Sequence, residues 1–233
     1  MGEPMGLRER KKLQTRHAIF RAAVELFHER GFDDVSVAEI AEKADVSKMT
    51  VFNYFRTKED IVLGSMEEHL ADPAVIAAER SPGESVVAAF RRVFLERLAA
   101  RAPETGLNDD PALLKVINLV KGSPSLAARL YLFSLRGEQL LAAALAGREP
   151  GSHDIRETVD PATISELRES GPVDLRARVA ASQIMSLWRA LQSENYSLTL
   201  LKGSADEAYP DAVAAAELGF GMLERGLGDY GVR

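Results

Sequence analysis

Apolar residues recur at helical spacing along most of this 233-residue chain, with polar and breaker segments between the stripes. In residues 15–31 the repeat of three or four predicts a first helix with one apolar face. That face consists of Phe20, Ala23, Val24 and Phe27. Gly31 comes directly after it, and a glycine in this position is typical of a left-handed helix stop.

Two short helices with a tight turn between them are predicted next. Ser36 and Glu39 have the spacing of a capping box, in which each side chain satisfies a free backbone N–H group of the other residue. Asp45 interrupts the apolar pattern, and Ser47 is a suitable N-cap for a helix from about Lys48 to Phe55. Its expected core anchors are Val46, Val51 and Phe55.

The outward positions of this last helix carry hydrogen-bonding groups and flat rings. They are Lys48, Met49, Thr50, Phe52, Asn53 and Tyr54. Such a face suits the wall of a DNA groove, where side chains reach phosphates and base edges. We therefore interpret the segment as a helix-turn-helix with a recognition helix. The alternative is a plain three-helix packing unit that binds no nucleic acid.

The run from Val46 to Phe55, followed by Thr57, Lys58 and Glu59, resembles the signature of the TetR family of bacterial transcriptional regulators. With the first helix, the resemblance covers about the first quarter of the chain. The family usually has Gly where Met49 stands, Tyr where Phe52 stands and often His where Tyr54 stands. Phe52 lacks the hydroxyl group of tyrosine but can still contact a thymine methyl group, so the base preference stays open.

Charge is distributed unevenly, although the net charge is −6. Residues 1–65 contain 11 Lys and Arg and 11 Asp and Glu, so the remaining 18 basic and 24 acidic residues account for all of the net charge. A basic run just ahead of the predicted first helix can lie on phosphates or reach into a minor groove. The predicted DNA contacts are Arg8, Lys11, Lys12, Ser36, Ser47, Lys48, Met49, Thr50, Phe52, Asn53, Tyr54 and Lys58.

Beyond residue 60 the chain reads as helices separated by breakers, without the alternating pattern of strands, which predicts an all-α fold. A three-helix DNA-binding domain at 8–56 would precede a larger helical domain at 57–228. Helices are expected at 57–70, 86–98, 111–120, 124–146, 173–193 and 206–227, and Ser81 with Glu84 is expected to form the capping box ahead of the second of them. Residues 147–171 read as a connection, with a possible short helix at 163–169.

The last two predicted helices carry stripes of small residues interrupted by larger ones, which allow helices to approach closely. These residues are Ala181, Ile184, Ala212, Ala216, Gly219, Phe220 and Leu223. Two copies of the chain can pack through them as a four-helix bundle, and the alternative is an intramolecular core. A homodimer would place two recognition helices about 34–36 Å apart on a near-palindromic operator.

The resemblance implies a small-molecule pocket in the larger domain, whose ligand would weaken DNA binding. Candidate lining residues are Phe90, Phe94, Phe133, Met185 and Trp188, and no charged residue stands out as an anchor. Repression is the default expectation, because occluding a promoter requires only binding. An adaptor that responds to a protein or peptide partner remains an alternative. The effector, the operator, the target genes and the number of dimers per operator are not readable.

Other classes of function have little support in the sequence. There is no cysteine, and the longest wholly apolar run, from Leu140 to Ala146, is far shorter than the roughly 20 residues of a membrane span. We therefore expect a cytoplasmic protein with no membrane partner. Metal-ligand clusters, glycine-rich phosphate loops and serine nucleophile motifs are not apparent, so no metal, no cofactor and no enzymatic activity are expected. A helical enzyme is the least favoured reading.

Overall fold

The computed structural model describes residues 6–67, 69–147 and 174–227. The chain begins with α1 (Leu7–Arg30), α2 (Val37–Lys43), α3 (Lys48–Tyr54) and α4 (Lys58–Glu67). It continues with α5 (Asp72–Ala78), α6 (Val86–Ala99), a 3-10 helix (Pro103–Thr105) and α7 (Pro111–Gly122). The last helices are α8 (Pro124–Leu145), α9 (Leu175–Lys202) and α10 (Ala205–Leu227). The described residues contain no strand, and the all-α prediction is confirmed.

The described residues form two compact units. The first contains residues 6–67 and 114–130, and the second contains residues 69–113, 131–147 and 174–227. Helix α4, which the sequence assigned to the larger domain, packs on α1 within the first unit. The functional division into 8–56 and 57–228 stays a prediction. Residue 228, the short helix at 163–169 and all but the first residue of the connection at 147–171 lie outside the described residues.

Several predicted helix starts are present, and their capping hydrogen bonds explain them. The Asp110 carboxylate accepts from the N–H groups of Ala112 at 2.7 Å and Leu113 at 3.2 Å, at the start of α7. The predicted cap at Ser81 is wrong for α6. Ser85 caps that helix, accepting from the N–H of Ala88 at 3.1 Å, because Gly83 has φ +81° and holds residues 81–84 in a turn.

Two elements of the second unit differ from the sequence prediction. Helix α5 was missed, although Asp72 and Pro73 repeat the Asp-Pro start that identified α7. Helix α9 continues nine residues past the predicted end at Ser193. Ser193 and Glu194 interrupt the apolar pattern, but both are exposed, and the buried residues Asn195, Tyr196 and Thr199 keep the helix against its neighbours.

The core of the first unit holds α1, α2, α3 and α4 together. Its buried apolar residues from α1 and the following loop are Ile19, Ala22, Ala23, Phe27, Phe32 and Val35. Those from α2 to α4 are Ile40, Ala41, Val51, Phe55, Ile61, Val62 and Leu63. Phe20 and Val24, which the sequence placed in the α1 stripe, are only half-buried, since the buried face of α1 is turned toward Ile19 and Ala22.

Most residues of the predicted dimer surface are buried in the core of the second unit. Five of its residues are fully buried within one chain, at 0% exposure: Ala181, Ile184, Ala212, Ala216 and Phe220. A side chain with no accessible surface in one chain would reach a second copy only if the core opened, and the assignment of these residues to the interface stays a prediction. The small residues instead let α9 and α10 approach each other. A Cβ added at Gly219 would lie 2.6 Å from Leu187 Cδ1, and Gly219 and Leu223 are half-buried.

Candidate nucleic-acid interface

The capping box at the start of α2 is formed as predicted. The Glu39 carboxylate accepts from the Ser36 N–H at 2.8 Å and from its hydroxyl at 2.7 Å, while the Glu39 N–H donates to Ser36 Oγ at 3.3 Å. Arg30 donates to Glu39 at 2.7 Å and to the Asp34 carbonyl at 2.7 Å. The backbone N–H of Ser36 is the largest cause, ahead of the Ser36 hydroxyl and Arg30, of a Glu39 pKa lowered to about 2. The box fixes the angle at which α2 leaves α1.

The turn between α2 and α3 is short because Asp45 adopts a left-handed conformation, with φ +54°. The Val46 N–H then reaches back to the Ala41 carbonyl at 3.0 Å. Ser47 caps α3, since its Oγ accepts from the Thr50 N–H at 3.0 Å and lies 2.8 Å from Thr50 Oγ1. Val46 is half-buried, less than an anchor residue would be. The geometry is that of a helix-turn-helix.

Helix α3 buries one face and exposes the other. Val51 is buried inside the unit, as is Phe55 just after the helix, whereas Met49 is 69% exposed and Phe52 is 43% exposed. Lys48 and Asn53 are exposed, and Thr50 and Tyr54 are half-buried. The Lys48 ammonium lies 5.9 Å from the centre of the Phe52 ring. The predicted reading residues of α3 therefore lie together on one accessible face.

The basic N-terminal residues lie inside α1 rather than ahead of it. The predicted start at Thr15 is wrong, because α1 begins at Leu7. Arg, Lys, Glu, Leu and Gln are all good helix formers, and no breaker separates residues 7–14 from the apolar stripe. Arg8, Lys11 and Lys12 are exposed and line an open cleft of about 650 Å³ that also includes Tyr54 of α3. The basic run that the sequence placed ahead of the first helix is therefore part of the helix surface.

Lys58 is held by internal hydrogen bonds. Its ammonium donates to the backbone carbonyls of Phe32 at 2.7 Å, Val35 at 3.1 Å and Asp33 at 3.4 Å, and lies 4.3 Å from the centre of the Phe32 ring. An ammonium group has three donors, so these contacts use all of them. The lysine ties the start of α4 to the loop between α1 and α2. Its predicted phosphate contact would require giving up one of these carbonyls.

The start of α4 carries a second reciprocal cap, which the sequence indicated only through Thr57. The Asp60 carboxylate accepts from the Thr57 N–H at 3.0 Å, and the Asp60 N–H donates to Thr57 Oγ1 at 3.2 Å. The same carboxylate pairs with Arg129 of α8 at 3.0 Å. Asp60 is only 8% exposed, so this cap and ion pair are largely shielded from water.

Three of the predicted ligand-pocket residues pack against one another in the second unit. The ring of Phe94 lies 4.8 Å from Trp188 and that of Phe90 lies 6.0 Å from Trp188, both edge to face. Phe90 and Phe94 are 0% exposed, so both are part of the closed core in this conformation, and their assignment as pocket lining stays a prediction. Trp188 is half-buried, Phe133 is 4% exposed and Met185 is 9% exposed. Their role stays a prediction.

Over the described ranges, no three His, Asp or Glu side chains are grouped so that they could hold a metal ion. Every helix in the part of the chain that the structure describes is too short or too polar to cross a bilayer.

Comparison with known proteins points to one family. Residues 19–64 match the family described as bacterial regulatory proteins, tetR family. The transcriptional regulator TcmR of Streptomyces glaucescens is 34% identical over 148 residues, which cover 62% of this chain and 64% of TcmR. The match therefore spans just under two thirds of that relative.

Solved structures with the same fold cover nearly the whole chain. NalD, the secondary repressor of the MexAB-OprM multidrug efflux pump in Pseudomonas aeruginosa, superposes with a TM-score of 0.53 at 19% identity, covering 91% of this chain and 96% of its own. SmeT, solved as a triclosan complex, gives a TM-score of 0.53 at 14% identity and covers 91% of each chain. These likenesses concern the fold. The family match over the helix-turn-helix and the sequence similarity to TcmR assign the chain to the TetR family of bacterial regulatory proteins.

Proposed function

We propose that this protein is a transcriptional repressor that binds a near-palindromic operator as a homodimer and is released by a small molecule bound in its second unit. The observation that carries the proposal is the exposed face of α3 beside the basic surface of α1. A face of this chemistry has no role in the core of its own unit, but it matches a duplex with phosphates at its edges and bases between them. Such a regulator acts in the cytoplasm, where bacterial DNA lies.

Each side chain has a role that follows from its position. Lys48 and Met49, at the start of α3, contact base edges, and Phe52 meets a thymine methyl group. Thr50, Asn53 and Tyr54 donate to phosphates, and Asn53 can also reach an adenine. The two capping serines, Ser36 and Ser47, lie at helix N-termini, where backbone N–H groups favour a phosphate.

The basic surface of α1 supplies affinity that does not depend on sequence. Arg8, Lys11 and Lys12 are on the wall of the cleft that ends at Tyr54, so one DNA backbone can contact α1 and the end of α3 together. The release of counterions from these phosphates would make the affinity strongly dependent on salt.

The dimer contact we propose uses the exposed side of α10. Ala214, Leu218 and Met222 recur every four residues and are exposed, with Leu218 at 65% and Met222 at 61%. They lie on the side of the helix opposite the buried Ala212, Ala216 and Phe220. Exposed leucine and methionine aligned on one helix face favour contact with the same face of a second copy.

Release by a small molecule is supported by family membership, and SmeT, a protein of the same fold, was solved as a triclosan complex. Such a ligand shifts the equilibrium only by its differential affinity for the two arrangements of the protein, typically about 1–3 kcal/mol. An adaptor that responds to a protein partner uses the same DNA interface. Saturable shifts in thermal stability with small metabolites would favour the small-molecule mechanism.

The experiment that tests the proposal is selection of genomic DNA fragments by the purified protein, followed by sequencing. The variant Lys48→Ala/Asn53→Ala removes two exposed side chains of α3, and Arg178→Ala removes an exposed charge on α9 as a matched control. We expect a palindromic motif to be enriched by the parent protein and by the control, but not by the α3 variant. No enrichment by folded parent protein at low salt would refute the proposal.

A further inference from the structure

Arg136, in the part of α8 that belongs to the second unit, has a buried and unpaired guanidinium nitrogen. Its Nη1 atom is shielded from solvent and has no hydrogen-bond partner among the residues that the structure describes. Burial also lowers the pKa of this arginine from its usual value. An arginine stays charged at neutral pH, and partial burial of its charge lowers the stability of the folded protein. No hydrogen bond from Nη1 offsets this loss.

The other half-buried arginines of this unit do have partners. Arg97 lies 3.2 Å from Asp72, Arg101 lies 2.7 Å from Asp206, and Arg91 pairs with Glu217. Arg189 donates to Ser134 at 2.8 Å and lies 3.7 Å from Glu138. Arg80 donates to the carbonyl of Ala77.

The nearest acidic residue in sequence is therefore turned away from Arg136. Glu138 lies two positions along α8, about 200° around the helix, and its carboxylate faces Arg189. Pairing is the rule for half-buried arginines in this unit, and Arg136 departs from it.

Two buried apolar residues share the helix face of Arg136. Phe133, three residues before it, is 4% exposed, and Leu140, four residues after it, is 6% exposed. Residues at these spacings share one face of a helix, so the guanidinium leaves α8 from its buried side. A Cβ at the next residue, Gly137, would be 3.3 Å from the Leu70 carbonyl oxygen, 3.9 Å from Pro73 Cγ and 4.0 Å from Met185 Cε. A cation among apolar groups suits a ligand that has an anionic end and an apolar body.

We propose that Arg136 is the anchor for a carboxylate group of the effector, with the apolar body of that molecule lying against Phe133. The inference rests on the proposed regulatory function and names the chemical class of its ligand. A guanidinium binds a carboxylate through two parallel hydrogen bonds, and one positive charge balances one negative charge. A phosphate monoester carries nearly two negative charges, and a single arginine would leave it undercompensated.

The test measures thermal unfolding of the full chain, without DNA, in titrations of benzoate, phenyl phosphate and neutral benzamide at matched ionic strength. Arg136→Met keeps the length of the side chain and removes its charge, and Arg136→Lys keeps the charge and removes the two-pronged geometry. Arg178→Met is the matched control, because Arg178 is exposed on α9. Circular dichroism verifies that each variant is folded.

We expect benzoate to raise the unfolding temperature of the parent and of the control, and benzamide to have no such effect. The apparent affinity for benzoate should fall at least tenfold in Arg136→Met and by a smaller factor in Arg136→Lys. Without any ligand, Arg136→Met should be at least as stable as the parent, because it removes an unpaired charge.

Three outcomes would overturn the proposal. An equal benzoate response in the parent and in Arg136→Met, or no response in the parent, would exclude a carboxylate site at Arg136. A stronger response to phenyl phosphate would assign the site to another class of anion. A loss of stability in Arg136→Met without ligand would make Arg136 a structural residue. None of these results depends on operator binding, so failure of the DNA-fragment selection is a separate outcome.

Discussion

Individual polar residues hold the connections of the first unit in place. Lys58 closes the loop between α1 and α2 with three hydrogen bonds, and Glu39 joins Ser36 and Arg30 at the start of α2. Glu39 is in α2 and Lys58 is in α4, the helices that precede and follow α3 in the chain. A change in either residue should therefore alter the position of the reading surface as well as its stability.

Replacing Lys58 with Met should destabilise the protein, because three backbone carbonyls lose their donor. We expect a loss of about 2 kcal/mol in the free energy of unfolding, since hydrogen bonds to charged groups are among the stronger ones. Urea unfolding followed by circular dichroism measures it, and Lys48→Met, at an exposed position, is the control. An unchanged urea midpoint with a shallower salt dependence of DNA binding would instead identify Lys58 as a phosphate contact.

Acid should weaken the cap at Glu39. Its pKa is about 2 in the folded protein and near 4.5 when unperturbed, so its stabilising contribution is complete above pH 4.5 and is lost as pH falls toward 2. Glu39→Gln removes that contribution at every pH. The difference in urea midpoint between the parent and this variant should be largest near pH 6 and shrink by pH 3. A difference that is constant over this range would contradict the assignment.

At the scale of elements, α4 is fixed by a cap and an ion pair that share one carboxylate. Asp60 caps the helix with Thr57 and also pairs with Arg129 of α8. Helix α4 follows the recognition helix directly, and α8 continues from the first unit into the second. The Asp60–Arg129 pair is thus the contact through which α8 holds the start of α4.

Asp60→Asn should cost about 2 kcal/mol of stability, because it leaves a shielded guanidinium without its carboxylate and weakens the cap. A double-mutant cycle with Arg129→Met isolates the pair, and we expect the two losses to be less than additive. Unfolding free energies from urea titration provide the measurement. Strict additivity would mean that the two side chains act independently.

At the scale of the whole molecule, the arrangement of charge and of exposed apolar residues matters more than the totals. A net charge of −6 would disfavour DNA, but the exposed residues Arg8, Lys11 and Lys12 are concentrated on one side of the first turns of α1. The exposed apolar side chains of α10 form a separate feature, far from these residues in sequence. We assign the first surface to DNA and the second to the partner copy.

Lys11→Ala/Lys12→Ala should reduce the salt dependence of DNA binding by about two units in the slope of log K against log salt, if each lysine neutralises one phosphate. Affinity should fall for all sequences alike, because phosphates carry no base information. Fluorescence anisotropy with a selected operator and a scrambled duplex at several salt concentrations measures both effects. A change confined to the operator would mean that these lysines read bases.

Leu218→Glu/Met222→Glu should convert the dimer to a monomer, because it places two charges on each side of the proposed contact. Sedimentation velocity gives the mass, and Leu175→Glu, at an exposed leucine near the start of α9, is the control. A dimer that survives the α10 substitutions would place the interface elsewhere. A monomeric parent protein would refute the dimer itself.

The helix-turn-helix was predictable from local sequence, whereas the start of α1 and the presence of α5 were not predicted. Caps such as Ser36 with Glu39 and Ser47 with Thr50 join residues three positions apart, so their hydrogen bonds depend on little else. The start of α1 differs from the prediction because the predicted helix began with the apolar stripe, whereas the charged residues 8–12 ahead of it also have high helix propensity. Helix α5 was missed even though Asp72 and Pro73 gave the same local signal as Asp110 and Pro111.

Which side chains are buried, and which pair with residues far away in the chain, could be established only from the tertiary structure. A stripe of small residues such as Ala212 and Ala216 suits a dimer interface and an intramolecular core equally, and only the packing of α10 on α6 and α9 distinguishes the two. The Lys58 contacts span 23 to 26 residues, and Arg136 is distinctive only because the other half-buried arginines of the second unit have partners. Local hydrogen bonds and propensities act within a few residues, but solvent exclusion depends on which helices meet, and that is a property of the whole fold.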